Sequence, residues 1–370
     1  MSEDLQERKQ RHLDICLDRS ISVESGKTGL SEITIPHRAL PEIDTDSISI
    51  GTSFLGFTLK RPVMISCMTG GTEEGRSLNR MLAGIAGDAG LAIGTGSLRV
   101  MLRHPETRSH FELKKLAPDV PVLANIGAAQ LVEYSPETLI EAVRSIGADG
   151  LFVHLNPAQE LFQNDGDRDF AGWFSGFRNL LDKADFPVLA KETGAGIPPV
   201  EGLKLLKLGV SFIDVAGSGG TDWVAVEAIR KDTGGQSAAE SFRNWGYPTA
   251  DLLMAYRQIT RAGGDAGEMV SDKIIASGGL RTPRDFAVGL ACGATLGAAA
   301  LPFIRAASEG GPDAVSEYIN ELEIGIRAAI VLSGASTLED FRRINLRTST
   351  LLAARAEELA EEALENRDEI

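Results

Sequence analysis

The sequence predicts an α/β fold, a (β/α)8 barrel with an N-terminal extension before it and a long lid-like insertion after its sixth strand. Three observations predict it. Short runs that are apolar on both faces recur eight times, as strands do when both faces of a parallel sheet are buried. Most of the runs stop at or just before Gly, Ser, Asn or Thr. Each is then followed by a segment whose apolar residues return every three or four positions, the period of a helix. Strand–helix alternation repeated in this way closes into a barrel; an open doubly wound sheet is the alternative, since eight strands can also lie flat.

Taken in order, residues 1–61 form the extension: a charged helical start, a loop rich in Ser, Gly and Pro, and the strand-like piece TSFLGFTLK. The barrel spans 62–345. Its strand candidates are 62–67, 90–95, 121–127, 150–155, 187–192, 212–217, 273–279 and 294–301. Two of the intervening helices show their apolar face clearly, one through Val200, Leu203, Leu206 and Val210, the other through Val315, Ile319, Leu322, Ile326 and Ile330. The link 218–248 is too long for an ordinary strand-to-helix loop and carries Trp223, Trp245 and a WGYP turn, which predicts a functional lid. Residues 346–370 read as an acidic helical tail, solvated or frayed.

Composition narrows the function. A net charge of -15 excludes nucleic acid as a partner, because phosphates need a basic surface. A small anionic substrate remains open if cations gather locally. No run approaches the ~18 apolar residues that span a bilayer, so no membrane is expected. The first residues lack the apolar core of a signal peptide. Cys16, Cys67 and Cys292 are an odd set with no CxxC spacing, which argues against a disulfide framework or zinc knuckle and fits a reducing, cytoplasmic setting.

In a barrel of this type, the TIM barrel, active sites lie at the C-terminal ends of the strands. Here those ends carry MTGG (68–71), Ser97-Leu98-Arg99, Asn125, HLNPAQE (154–160), Lys191-Glu192, GSGGT (217–221) and SGGLR (277–281). Glycine-rich ends at strands seven and eight suit a phosphate, since glycine lets main-chain N–H groups approach an anion. Lys191 at the end of a buried strand suits an anion or an electron-rich ring, because an unpaired buried ammonium is costly. Asn125 fits a ring amide or a turn cap, and His154 a site residue or a core histidine. Glu160, flanked by Asn156 and Gln159, suits Mg2+, which takes oxygen ligands and bridges phosphates. On composition alone RKQRH (8–12) is a solvated helix face.

Read together and in order, RKQRH, MTGG, SLR, NIG, HLNPAQE, QNDGDRDF, KETGAG, GSGGTDW, RNWGYPT and SGGLR resemble the motifs of the type 2, FMN-dependent isopentenyl-diphosphate isomerases, over about residues 8 to 345. Leu98 stands where that family usually has Gln, and ATLGAAALPF departs from its usual eighth strand. The resemblance implies isomerisation of isopentenyl diphosphate to dimethylallyl diphosphate with no net redox change. It implies reduced FMN as an acid–base group, NADPH as reductant, Mg2+, and a homotetramer or homo-octamer. FMN would be held by Met68, Thr69, Gly70, Ser97, Asn125, Lys191 and Thr221, its phosphate by Gly279, Leu280, Arg281, Ala300 and Leu301. Substrate would meet Arg8, Lys9, His12, Ser97, Leu98, Arg99, His154 and Gln159, with Glu160 on the metal and Gln159, His154 and Asn156 at the reacting centre. A 2-hydroxy-acid oxidase is the main rival; it uses a late histidine base, and no histidine follows His154. A dehydrogenase of the inosinate type needs a loop cysteine after strand six, which is missing. A non-catalytic flavin-binding barrel would not need Arg8, Lys9, Gln159 and Glu160 together.

Overall fold

The eight apolar runs form the eight strands of a closed, all-parallel barrel. They are β1 (Val63–Ile65), β2 (Ala92–Gly94), β3 (Val122–Gly127), β4 (Gly150–Leu155), β5 (Val188–Glu192), β6 (Ile213–Asp214), β7 (Ile274–Ala276) and β8 (Leu296–Ala299). The computed structural model describes residues 5–67, 70–164, 166–230 and 238–366. Strand order follows chain order, and β8 pairs with β1 to close the ring. The strands are short and almost wholly buried because one face fills the barrel and the other meets the helices.

The outer helices bury the predicted stripes. Leu203, Leu206 and Val210 are at most 5% exposed, as are Val315, Ile319, Leu322, Ile326 and Ile330. The last five lie on a long helix, Leu301–Ser333, broken at Gly311 (φ 64°) just before Pro312. The N-terminal helix Leu5–Leu17 docks beside the helix Trp223–Arg230 of the insertion, where Cys16, Val23, Val226 and Leu301 form a small core of their own. Residues 231–237 of the insertion lie outside the described residues.

The acidic tail is not a solvated or frayed end. Helix Thr350–Glu365 buries Leu352, Ala356, Leu359, Ala360 and Ala363, lying against helices Thr249–Ala262 and Pro199–Leu208. Arg347–Thr348 pairs antiparallel with Ile33–Thr34, tying the tail to the extension. At the N-terminal end of the barrel a cavity of about 610 Å³ is lined in part by Arg257, Arg261 and Arg342. Their guanidiniums donate to main-chain carbonyls of Ala291, Ala294, Thr295, Arg342 and Ile344. Those charges are engaged in holding helix ends and loops in place.

Candidate active site

At the opposite end, a cavity of about 220 Å³ opens over the C-terminal ends of the strands. Strand register determines which polar groups meet there. His154 on β4 is level with Lys191 on β5, which is level with Asp214 on β6. Neighbours at one level of a parallel sheet point the same way, so three titratable groups form a rung under the cavity. Lys191 is 6% exposed and donates to the carbonyl of Glu192. The Glu192 carboxylate turns away and collects the main-chain N–H groups of Thr193, Gly194, Ala195 and Gly196, which shapes the loop after β5.

His154 Nδ1 lies 2.6 Å from Asn125 Oδ1; with that oxygen accepting, Nδ1 carries the proton. Burial, then Lys191, Lys9 and Arg99, push its pKa down to about 3. His154 is therefore a neutral imidazole, not a third kind of cation.

The cationic part of the site comes from two places. Arg8 and Lys9 enter from the N-terminal helix and Arg99 from the turn after β2, and all three line the cavity. Lys9 donates to the Ser97 carbonyl at 3.1 Å. Burial, then Arg8 and Arg99, push its pKa down to about 7. Arg8 is also lowered, first by burial and then by Arg99. Arg99 lies 3.6 Å from Asp167, and its buried Nε has no partner. Like charges crowded together, with an unsatisfied buried donor, make a site whose missing partner is an anion.

Facing them is Glu160, 7% exposed on the helix Pro157–Phe162. It accepts from Asn156 Nδ2 at 3.1 Å and from the Asp167 N–H at 2.8 Å. Asn156 Nδ2 also donates to Gln159 Oε1 at 3.2 Å, so one amide orients both neighbours. No cluster of three or more His, Cys, Asp or Glu suited to a metal occurs among the described residues. A cation at Glu160 would have one carboxylate, which suits Mg2+ sharing its shell with substrate phosphates and water.

Gly70, Ser97, Thr221, Gly279, Arg281, Ala300, Leu301 and Gln159 also line the cavity. His12 does so while bonded to Glu227 at 2.7 Å, and Glu227 in turn holds Arg230. Two expected contacts are placed elsewhere. Leu98 and Leu280 are fully buried in the hydrophobic core and do not line the cavity. Met68 and Thr69 lie outside the described residues. Arg281 lines the cavity with its guanidinium committed to Glu24 at 2.5 Å. The sequence alone did not single out Asp167, Glu227 or Asp214. Asp167 sat within a quoted motif, but Asp214 was hidden in an apolar run.

No protein-family model matches the chain. Among solved structures, the flavin-binding domain of baker's yeast flavocytochrome b2 superposes with a TM-score of 0.66 at 18% identity, covering 94% of this chain and 84% of that one. A mandelate oxidase mutant carrying an FMN adduct gives 0.61 at 16% identity, covering 92% of both. At such identities the likeness is one of fold. Sequence relatives are nearer. The isopentenyl-diphosphate delta-isomerase of Borreliella afzelii is 37% identical over 348 residues, 94% of this chain and 95% of that one. The enzyme of the same name from Rickettsia africae is 38% identical over 92% of this chain and 97% of its own length, and that of a Synechococcus strain is 40% identical over 87% and 90%. With such identity along almost the whole of each relative, the chain belongs to the isopentenyl-diphosphate delta-isomerase family.

Proposed function

We propose that this chain converts isopentenyl diphosphate to dimethylallyl diphosphate at the barrel mouth, as a type 2 isomerase with reduced FMN, Mg2+, and NADPH as reductant. The observation that carries the reading is the meeting of Arg8, Lys9 and Arg99 with Glu160 in one cavity of a chain whose net charge is -15. Three cations and one buried carboxylate are a diphosphate–metal site in outline.

The residues present fit a flavin. Gly278 and Gly279 have φ of 96° and 78°, and a Cβ on Gly279 would lie 2.5 Å from the Gly219 carbonyl oxygen. Only glycine fits that turn. The helix starting at Leu301 has no side-chain cap, so the N–H groups of Leu301 and Phe303, with Pro302 having none between them, are open to a phosphate beside that turn. The helix Pro283–Ala291 is closed by its own Thr282–Asp285 capping box and offers no such end. Asn125 and Lys191 face the place where a ring would lie, with Gly70, Ser97, Thr221 and Ala300 around it; we assign Met68 and Thr69 to the same contact. Reduced FMN, when bound, supplies acid–base chemistry at an alkene carbon that ordinary side chains protonate poorly.

The chain's own residues do the rest. Arg8, Lys9 and Arg99 neutralise and orient the diphosphate, and Glu160 would hold Mg2+, which would supply further neutralising charge to the phosphates. Asn156 holds Gln159 beside the isoprenyl chain. His154, neutral, offers hydrogen bonding without charge. The N-terminal helix and the insertion, with His12 and Trp223 in edge contact at 5.4 Å, cover the mouth and limit water at a carbocation-like centre. A cytoplasmic homotetramer or homo-octamer completes the proposal.

The purified protein should show a flavin spectrum and stay inactive until reduced. A single anaerobic reduction should then support many turnovers, with deuterium from D2O entering the dimethylallyl product. Consumption of one NADPH per turnover would replace this reading with a true oxidoreductase. The hydroxy-acid oxidase alternative lacks its late histidine base, His154 being the last in the chain.

A further inference from the structure

Asp214 is wholly buried in the barrel, and the binding reading above gives it no task. Its strand neighbour at the same level is Lys191. One carboxylate oxygen accepts from the Ser277 hydroxyl; the other, Oδ2, is buried with no hydrogen-bond partner. A carboxylate this deep costs several kcal/mol to keep charged unless a cation lies near, and a buried ammonium has the mirror problem. The two groups sit side by side on adjacent strands, and Lys191 also fronts the cavity.

We infer that Asp214 is a positioning residue, the fixed counter-charge that keeps the Lys191 ammonium in place at the cavity floor and thereby sets the electrostatic field on a ring bound above it. Burial raises the carboxyl above its usual range, and Lys191 is the strongest influence drawing it back. The other titratable groups coupled to Lys191 are His154 and Cys67. Burial keeps His154 neutral and pushes the Cys67 thiol up to about 11. Neither carries negative charge near neutral pH, so Asp214 is the one carboxyl of the set. It lies beneath the cavity and touches no reacting atom; its effect passes through Lys191.

The test rests on the flavin reading and uses the midpoint potential of the bound flavin, read in the holoenzyme without turnover. Removing the carboxylate in Asp214→Asn should leave the Lys191 ammonium without the charge that holds it under the ring. The flavin then loses its adjacent positive charge, and the potential moves to more negative values. In a Lys191→Met background the same substitution should produce no negative shift, since coupled residues are not additive. A positive shift would mean that Asp214 acts as a lone negative charge. An unchanged potential would mean that it is a neutral acid. Either result overturns the inference. Should Asp214→Asn not fold, Lys191→Met carries the test: it should move the potential to more negative values, and an unchanged or more positive potential would overturn the inference. A protein that binds no flavin fails the functional reading instead, which separates the two.

Discussion

Lys9 gives the sharpest handle on substrate capture. Its free-enzyme pKa is pushed down to about 7, chiefly by burial and then by Arg8 and Arg99. A bound diphosphate reverses this, because the anion stabilises the ammonium; the pKa in the complex is higher than in the free site. Binding therefore takes up a proton above about pH 7. The sign follows: affinity is full below pH 7, falls as pH rises through 7, and stops falling above the pKa of the complex. Two pH units of titration correspond to ~100-fold, roughly 2.7 kcal/mol. The Michaelis constant for isopentenyl diphosphate should thus climb about tenfold per unit from pH 7 to about 9. The substrate adds little slope of its own, since the last phosphate ionisation lies near ~6, and His154 stays neutral throughout that range. The assay is the Michaelis constant against pH at constant ionic strength, with Lys9→Met alongside. At about pH 6 the variant should bind ~10–150-fold more weakly, the ~1.5–3 kcal/mol of a charge-assisted contact. Its own profile should be flat, and the two curves should converge at high pH. A flat profile in the unmodified protein, or an unchanged slope in Lys9→Met, would refute the reasoning.

Further predictions concern the same cavity. Arg8→Ala should raise the Michaelis constant by ~10–150-fold, about 1.5–3 kcal/mol, and leave the flavin spectrum alone; equal constants would remove Arg8 from the diphosphate grip. Glu160→Gln should abolish the response to Mg2+ and most activity with FMN still bound, and an ordinary Mg2+ optimum would rule the assignment out. Gly279→Ala should release flavin, because its φ of 78° and the Gly219 oxygen leave no room for a methyl group; retained flavin in dialysis would count against the phosphate turn. Leu322→Ala, at a fully buried position, should cost about 2–5 kcal/mol in unfolding free energy without altering the flavin spectrum.

The barrel was legible because its signals are local. Each strand is a short run apolar on both faces, and each helix stripe repeats within a few turns. Lys191, Asn125 and Glu160 stood out because polar residues at the ends of apolar runs have few structural reasons to be there. What stayed hidden depends on direction and distance. Leu98 and Leu280 belong to motifs at the mouth, yet their side chains pack into the core. The Arg281 guanidinium is taken by Glu24, 257 residues away in sequence. Asp214 looked like one polar interruption in FIDVAG, and only strand register shows it beside Lys191. The tail misled because its apolar stripe is mostly alanine, masked by glutamates on the other face.

The docking of the N-terminal helix has a consequence in time. Arg8 and Lys9 precede the barrel in the chain and are made before it, yet the helix that carries them rests on Val226 and Leu301. Its seat does not exist until most of the barrel has been made. The strands and their glycine turns can form while the diphosphate grip is still incomplete, so the nascent barrel is chemically silent. Competence should arrive late and abruptly during refolding, with recovery of substrate affinity trailing recovery of barrel structure.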